Sequence, residues 1–186
     1  MAQQTADPAI IKLKNVRLSF PHLFTAHSME EGKEPQFSAT FLLDSVKDAA
    51  VIKQIETTID RVALDFFKKK VPLKKRGLRD GNEKPELEGY GDGVMFITAT
   101  CRTRPPVVNL DLSPIAEADG IIYPGCFVNA TIRLFAWEHK TGGRGVSAGL
   151  RAVQFYKDGD SFGAGQVNVE DEFDRIEPES ISVDDL

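Results

Sequence analysis

Residues 10–20, IIKLKNVRLSF, alternate apolar Ile11 and Leu13 with Lys12 and Lys14, and past Asn15 the apolar phase moves to Val16, Leu18 and Phe20. Period-two alternation predicts a strand, and the one-residue slip predicts a β-bulge at Asn15. Residues 21–35 read as a polar loop. In QFSATFLL, residues 36–43, Phe37, Ala39, Phe41 and Leu43 share one face and Ser38, Thr40 and Leu42 the other, which predicts a second, half-buried strand. Ser45 and Asp48 have the spacing of a capping box. Ala49, Ile52, Ile55, Ile59, Val62, Ala63 and Phe66 then recur at helical spacing to about Lys70. The following stretch, KKKVPLKKRGLRDGNEKPELEGYGDG, cannot continue the helix through Pro72, Pro85 and its glycines, so a long basic loop is expected.

The alternation returns in GVMFITATCRTR, residues 93–104, and stops at Pro105 and Pro106. Its clearest example is CFVNATIRLFAWEH, residues 126–139. Val128, Ala130, Ile132, Leu134 and Ala136 form an apolar face; Phe127, Asn129, Thr131, Arg133, Phe135 and Trp137 form the other. TGGRG, residues 141–145, predicts a flexible hairpin returning as GVSAGLRAVQFY. Five strands and one helix predict a mainly β domain, a small barrel with a packed α-helix.

Charge divides the chain. From Glu170 onward, eight carboxylates (Glu170, Asp171, Glu172, Asp174, Glu177, Glu179, Asp184 and Asp185) face one base, Arg175, so the tail ending at Leu186 carries -7 of a whole-chain -5. Residues 1–169 are therefore mildly basic. Like charges this dense resist packing, and the expected organisation is a flexible arm over residues 1–9, a folded body over 10–168 and a disordered acidic tail over 169–186. No apolar run approaches a membrane span, and the start MAQQTADPAI lacks a secretory pattern, which points to a cytoplasmic protein. Cys101 and Cys126 read as buried thiols of a reducing compartment. His22, His27 and His139 are scattered, and no zinc spacing, serine elbow or kinase set occurs. An enzyme, a metal and a cofactor are not expected.

The informative feature is the second face of residues 126–139, where rings interleave with a guanidinium and hydrogen-bonding side chains. Such rings either pack under another element or stay open to stack on unpaired bases. Phe127, Phe135 and Trp137 are candidate stackers, joined by Tyr90 between its glycines. Candidate phosphate contacts are Lys12, Lys14, Arg17, Arg102, Arg104, Arg133, Arg144 and Arg151, with the seven cations of KKKVPLKKRGLR: Lys68, Lys69, Lys70, Lys74, Lys75, Arg76 and Arg79. Each base taken alone is equally an ordinary solvated charge.

YPGCFVNATIRLFAWE, KTGGRGVSAGLRAVQFYKDG and TCRTRPPVVNLD together resemble a bacteriophage single-stranded DNA-binding protein family, and the likeness runs from KNVRLSFPHLF to the glycine-rich segment at 158–165. The resemblance implies an OB-fold-like five-stranded barrel that coats single-stranded DNA during phage replication, recombination and repair in the host cytoplasm. It also implies that the acidic tail recruits phage or host replication and recombination proteins and competes with DNA. The usual OB-fold places its helix after the third strand, whereas here it follows the second; a first strand bent at Asn15 and counted twice would restore the order. A strand-annealing mediator and a protein-interaction adaptor without DNA binding are the alternatives.

Overall fold

The structure, a computed structural model, describes residues 6–141 and 143–163. The seven strands are β1 (Ile10–His27), β2 (Gln36–Asp44), β3 (Leu78–Asp80), β4 (Val94–Cys101), β5 (Val107–Val108), β6 (Phe127–His139) and β7 (Gly143–Lys157), and α1 spans Ala49–Phe67. Five of the strands close a barrel. β1 pairs antiparallel with β2 and β6, β2 with β4, and β6 with β7; the parallel contact of β4 with β7 at Ala99–Ala148 and Thr100–Gly149 completes the ring. This is the OB-fold-like barrel that the resemblance implied. β3 and β5 are short additions at the edges of β4 and β7.

The barrel interior is filled by the predicted apolar faces. Ile11, Leu13, Val16, Leu18, Phe41, Leu43, Ile97, Val128, Ile132, Leu134 and Val146 are essentially sealed from solvent. Each such side chain contributes about 1.5–3 kcal/mol through the area it removes from water. The helix docks its Ile55, Ile59 and Ala63 stripe against β1, β6 and β7. No helix among the described residues is long and apolar enough to cross a membrane.

The bulge predicted at Asn15 is present. Asn15 adopts φ 52, the β1–β6 register slips between Leu13 and Val16, and the Asn15 N–H donates to Asn129 Oδ1 at 2.9 Å. Asparagine tolerates this left-handed backbone better than a branched residue would. The slip lets Ile11 and Leu13 and then Val16 and Leu18 all point inward. It does not split β1 into two barrel strands, however. The segment is one strand whose first half pairs with β6 and whose second half pairs with β2, meeting at Arg17, so the helix lies between the second and third barrel strands.

Other local readings need correction. Residues 21–27, expected as loop, extend β1: the strand passes a second irregularity at Phe20, φ 45, and continues against β2 through His22–Ser38 and His27–Gln36. No capping box forms at Ser45. Asp44 Oδ1 instead accepts the Val46 and Lys47 N–H groups, and Asp48 Oδ2 accepts the Asp44 N–H, a tight turn that leads directly into α1. The helix stops at Phe67, not Lys70, because Lys68 turns left-handed at φ 60 and sends its N–H to the Leu64 carbonyl. The basic loop is partly sheet: Lys75 bridges to Gly145 and residues 78–80 pair with β4. The β2 strand has little exposed surface on both faces rather than on one, with Ser38, Thr40 and Leu42 each at most 6% exposed.

Candidate nucleic-acid interface

The outer surface of β2 and β4, beside the second half of β1, carries short hydroxyl side chains. Thr40 and Thr98 join hydroxyls at 2.8 Å across the β2–β4 pair. Small residues leave a shallow floor there, and rings wall it. Phe20 stands half exposed at 49%, because its left-handed backbone turns the side chain out of the strand's alternation. Tyr90, brought over from the connection before β4, donates its hydroxyl hydrogen to Ser19 Oγ at 3.0 Å and meets Phe96 edge-on at 5.2 Å. The irregular register between His22 and His27 brings those imidazoles into a parallel stack, 4.2 Å apart at 11°. Together they bound a depression of about 240 Å³.

Cations border these rings. The Arg79 guanidinium lies 5.0 Å from the Phe96 ring centre while paired to Glu83, and Lys84 Nζ lies 5.7 Å from the same ring. Farther along, Arg104 covers Phe24 at 5.4 Å. Burial, helped by the charge of His27, lowers the His22 pKa, so a neutral imidazole is favoured. Burial also raises the Tyr90 phenol, which stays a hydrogen-bond donor. An open row of rings flanked by positive charge is suited to unpaired bases on the rings and phosphates on the cations.

Of the four rings singled out from sequence, Tyr90 lies in this groove. Phe127 lies past its far end beneath Arg17, Lys47 and Lys157. Phe135 is on the outer face of β6, 39% exposed, in a depression shared with Asp7, Phe66 and Arg133. Trp137 donates its Nε1–H to Ser147 Oγ at 2.9 Å and roofs Gly145, where an added Cβ would come within 2.4 Å of the indole. Its geometry is that of a packing residue. Trp137→Phe is expected to keep oligonucleotide affinity within about twofold, while Trp137→Ala lowers stability by roughly 2 kcal/mol, below the range for a fully buried aromatic; titration and thermal melting of both variants check this.

The cations are similarly divided. Arg133 pairs with Asp7 at 2.8 Å, holding that carboxyl below its usual range, and Arg61 bonds the Pro8 carbonyl beside it. Arg144 pairs with Glu138 at 3.0 Å and lies 5.4 Å from the Phe67 ring, and Arg76 pairs with Asp60 at 2.9 Å. Lys74 and Lys75 bond through their backbone to the β7 start, leaving exposed side chains beside the hairpin. Lys68, Lys69, Lys70, Arg102 and Arg151 are not buried, and Lys12 and Lys14 border a separate depression of about 250 Å³ with Asn129 and Gln154. Glu170, Asp171, Glu172, Asp174, Glu177, Glu179, Asp184, Asp185 and Leu186 lie outside the described residues.

Phe20, His22, His27, Lys84 and Phe96 were not among the sequence candidates. A signal existed in FPHLFTAH, which is dense in rings for a polar loop. Cys126 is buried as read from sequence, whereas Cys101 is only half-buried; burial pushes both thiols up. Among the described residues no three His, Cys, Asp or Glu side chains stand together as metal ligands.

Comparison with known proteins gives the chain its relatives. The family model described as Enterobacter phage Enc34, ssDNA-binding protein, matches residues 9–185. A protein of Acyrthosiphon pisum secondary endosymbiont phage 1 designated p50 is 36% identical over 176 residues, covering 89% of this chain and 93% of its own. The single-stranded DNA-binding protein of bacteriophage Enc34, solved in complex with ssDNA, superposes with a TM-score of 0.74 at 32% identity, covering 83% of this chain and 90% of that one. The gp2.5 single-stranded DNA-binding protein of bacteriophage T7 shares the fold, with a TM-score of 0.54 at 11% identity, over 90% of this chain and 97% of that chain.

Proposed function

Because the chain belongs to the family of the Enterobacter phage Enc34 ssDNA-binding protein, we propose that it binds single-stranded DNA without sequence preference and without catalysis. The observation that carries this reading is the ring-lined groove over β1, β2 and β4, with Phe20, Tyr90 and the stacked His22 and His27 open to a strand, the buried Phe96 as its floor, and Arg79, Lys84 and Arg104 beside them. The Enc34 relative solved with ssDNA supports it. Stacking contributes about 1–3 kcal/mol per base and is tolerant of base identity, since every base has a π-face. The protein thus coats and protects single strands in the cytoplasm of the infected host, serving phage replication, recombination and repair.

The acidic tail acts on the same groove. The last described residues dock at its rim: the Phe162 N–H donates to the Pro124 carbonyl, and the Gly163 N–H to Glu88 Oε2, in a depression that Phe20 and Tyr90 also line. A segment of -7 starting a few residues beyond reaches the cations as a competitor for DNA, and when displaced is available to replication or recombination partners.

The test is fluorescence anisotropy of labelled oligo-dT with the full chain and a chain stopped at Val169, over a salt series. Affinity is expected to fall linearly on a log–log salt scale, by about 0.7 per phosphate contact. The truncated form is expected to bind more tightly. Absence of binding by both forms at low salt would overturn the proposal.

A further inference from the structure

A second cluster of aromatic and positive groups lies past the far end of the groove. The Phe127 ring, at the start of β6, is approached by Lys157 Nζ at 4.8 Å, Arg17 at 5.8 Å and Lys47 Nζ at 5.9 Å from its centre. These cations come from β7, β1 and the turn before α1, so the tertiary fold alone assembles them. The ring faces an open depression of about 300 Å³. Two carboxylates border it, and both are committed to backbone: Asp44 accepts the Val46 and Lys47 N–H groups, and Asp48 the Asp44 N–H. Lys47 holds the Asn15 carbonyl at 2.6 Å and is 3.8 Å from Asp48, whereas Lys157 has no ion pair among the described residues.

The cluster is continuous with the groove. Arg17 lies between two rings, 4.2 Å from Phe162 and 5.8 Å from Phe127, and Phe162 shares a depression with Phe20 and Tyr90. Aromatic surface therefore leads from Phe20 and Tyr90 through Phe162 to Phe127. Glu86 and Glu88 edge the middle of this course, so a strand crossing there has its bases toward the protein and its phosphates outward.

We infer that Phe127, Lys47 and Lys157 form a second subsite for single-stranded nucleic acid, with a base against the ring and a phosphodiester held by the two ammonium groups. The inference rests on the groove being the primary single-strand site, and the two can fail separately. The full-length Lys47→Ala/Lys157→Ala variant removes side chains outside the core; thermal melting checks its fold, and Lys157→Glu alone serves should Lys47 prove needed for the Asn15 bulge. Anisotropy is measured with two labelled oligo-dT probes, about four nucleotides, enough for the groove alone, and about twelve. The long probe is expected to lose about tenfold in affinity and about 0.7 in salt slope, one phosphate contact's worth, with the short probe unchanged. Bromodeoxyuridine-substituted long probe is expected to crosslink to the peptide holding Phe127. Equal losses on both probes, or no loss on the long one, overturn the subsite while leaving the groove standing. Failure of the parent protein to bind either probe overturns both.

Discussion

Replacing Phe20 by glycine is expected to lower oligo-dT affinity by about 5- to 150-fold, the equivalent of one base stack at about 1–3 kcal/mol, without lowering the melting temperature. The two effects separate because of the backbone. Phe20 sits at φ 45, where a side chain carries a strain cost of order 1–3 kcal/mol and glycine carries none. Half of the ring faces solvent, so its removal leaves no core cavity. A strained aromatic residue held open on a surface is better explained by a ligand than by the fold. Phe20→Leu, which keeps apolar bulk without a π-face, is expected to fall between the two. Unchanged affinity in a folded Phe20→Gly protein would remove this ring from the binding site.

The second large effect concerns the segment that follows β7. Gly125→Ala is expected to destabilise the protein by about 3 kcal/mol or more, a fall of roughly 6–12 °C in melting temperature for a chain of this size. Gly125 has φ 106, and an added Cβ would lie 2.0 Å from the Asp160 carbonyl oxygen, which is backbone and cannot rotate away. That oxygen also accepts a 2.7 Å hydrogen bond from Arg17. Making room therefore displaces the whole 158–163 strap, including the Tyr123 hydroxyl contact with Asp158 and the Phe162 ring on Arg17. Gly91→Ala is the control. Its φ is 108, but no atom lies within 4 Å of the new Cβ, so it bears the backbone penalty alone. Identical melting of the two variants would mean that the strap contributes nothing to stability.

Much of the barrel was legible in the sequence because strand alternation is a local property. Val128, Ala130, Ile132 and Leu134 could be assigned to the core since side chains two apart on a strand face the same way whatever the partner strand is. The Asn15 bulge was legible for the same reason, as a slip in that period. The misreadings came where local signals compete with distant pairing. Pro21 and the polar residues after it read as loop, yet β2 captures residues 22–27 as strand. Ser45 had the right spacing for a cap, but Asp44 and Asp48 supply the turn's acceptors instead.

The groove was much less legible. Alternation identified an outer face on β6 but could not say whether that face was open, and the structure fills much of it: Trp137 over Gly145, Arg133 on Asp7, and Asn129 on Gln154. The open rings come instead from β1 and from a connection far away in the chain, joined where Tyr90 reaches Ser19 and rests on the buried Phe96 of β4. By itself the sequence determined the strands, the inward faces, the divided charge and the family resemblance, because side-chain period, composition and motif are carried by neighbouring residues. Only the tertiary structure decided which rings and cations stand together in the open, because exposure depends on what the remainder of the chain lays over each face.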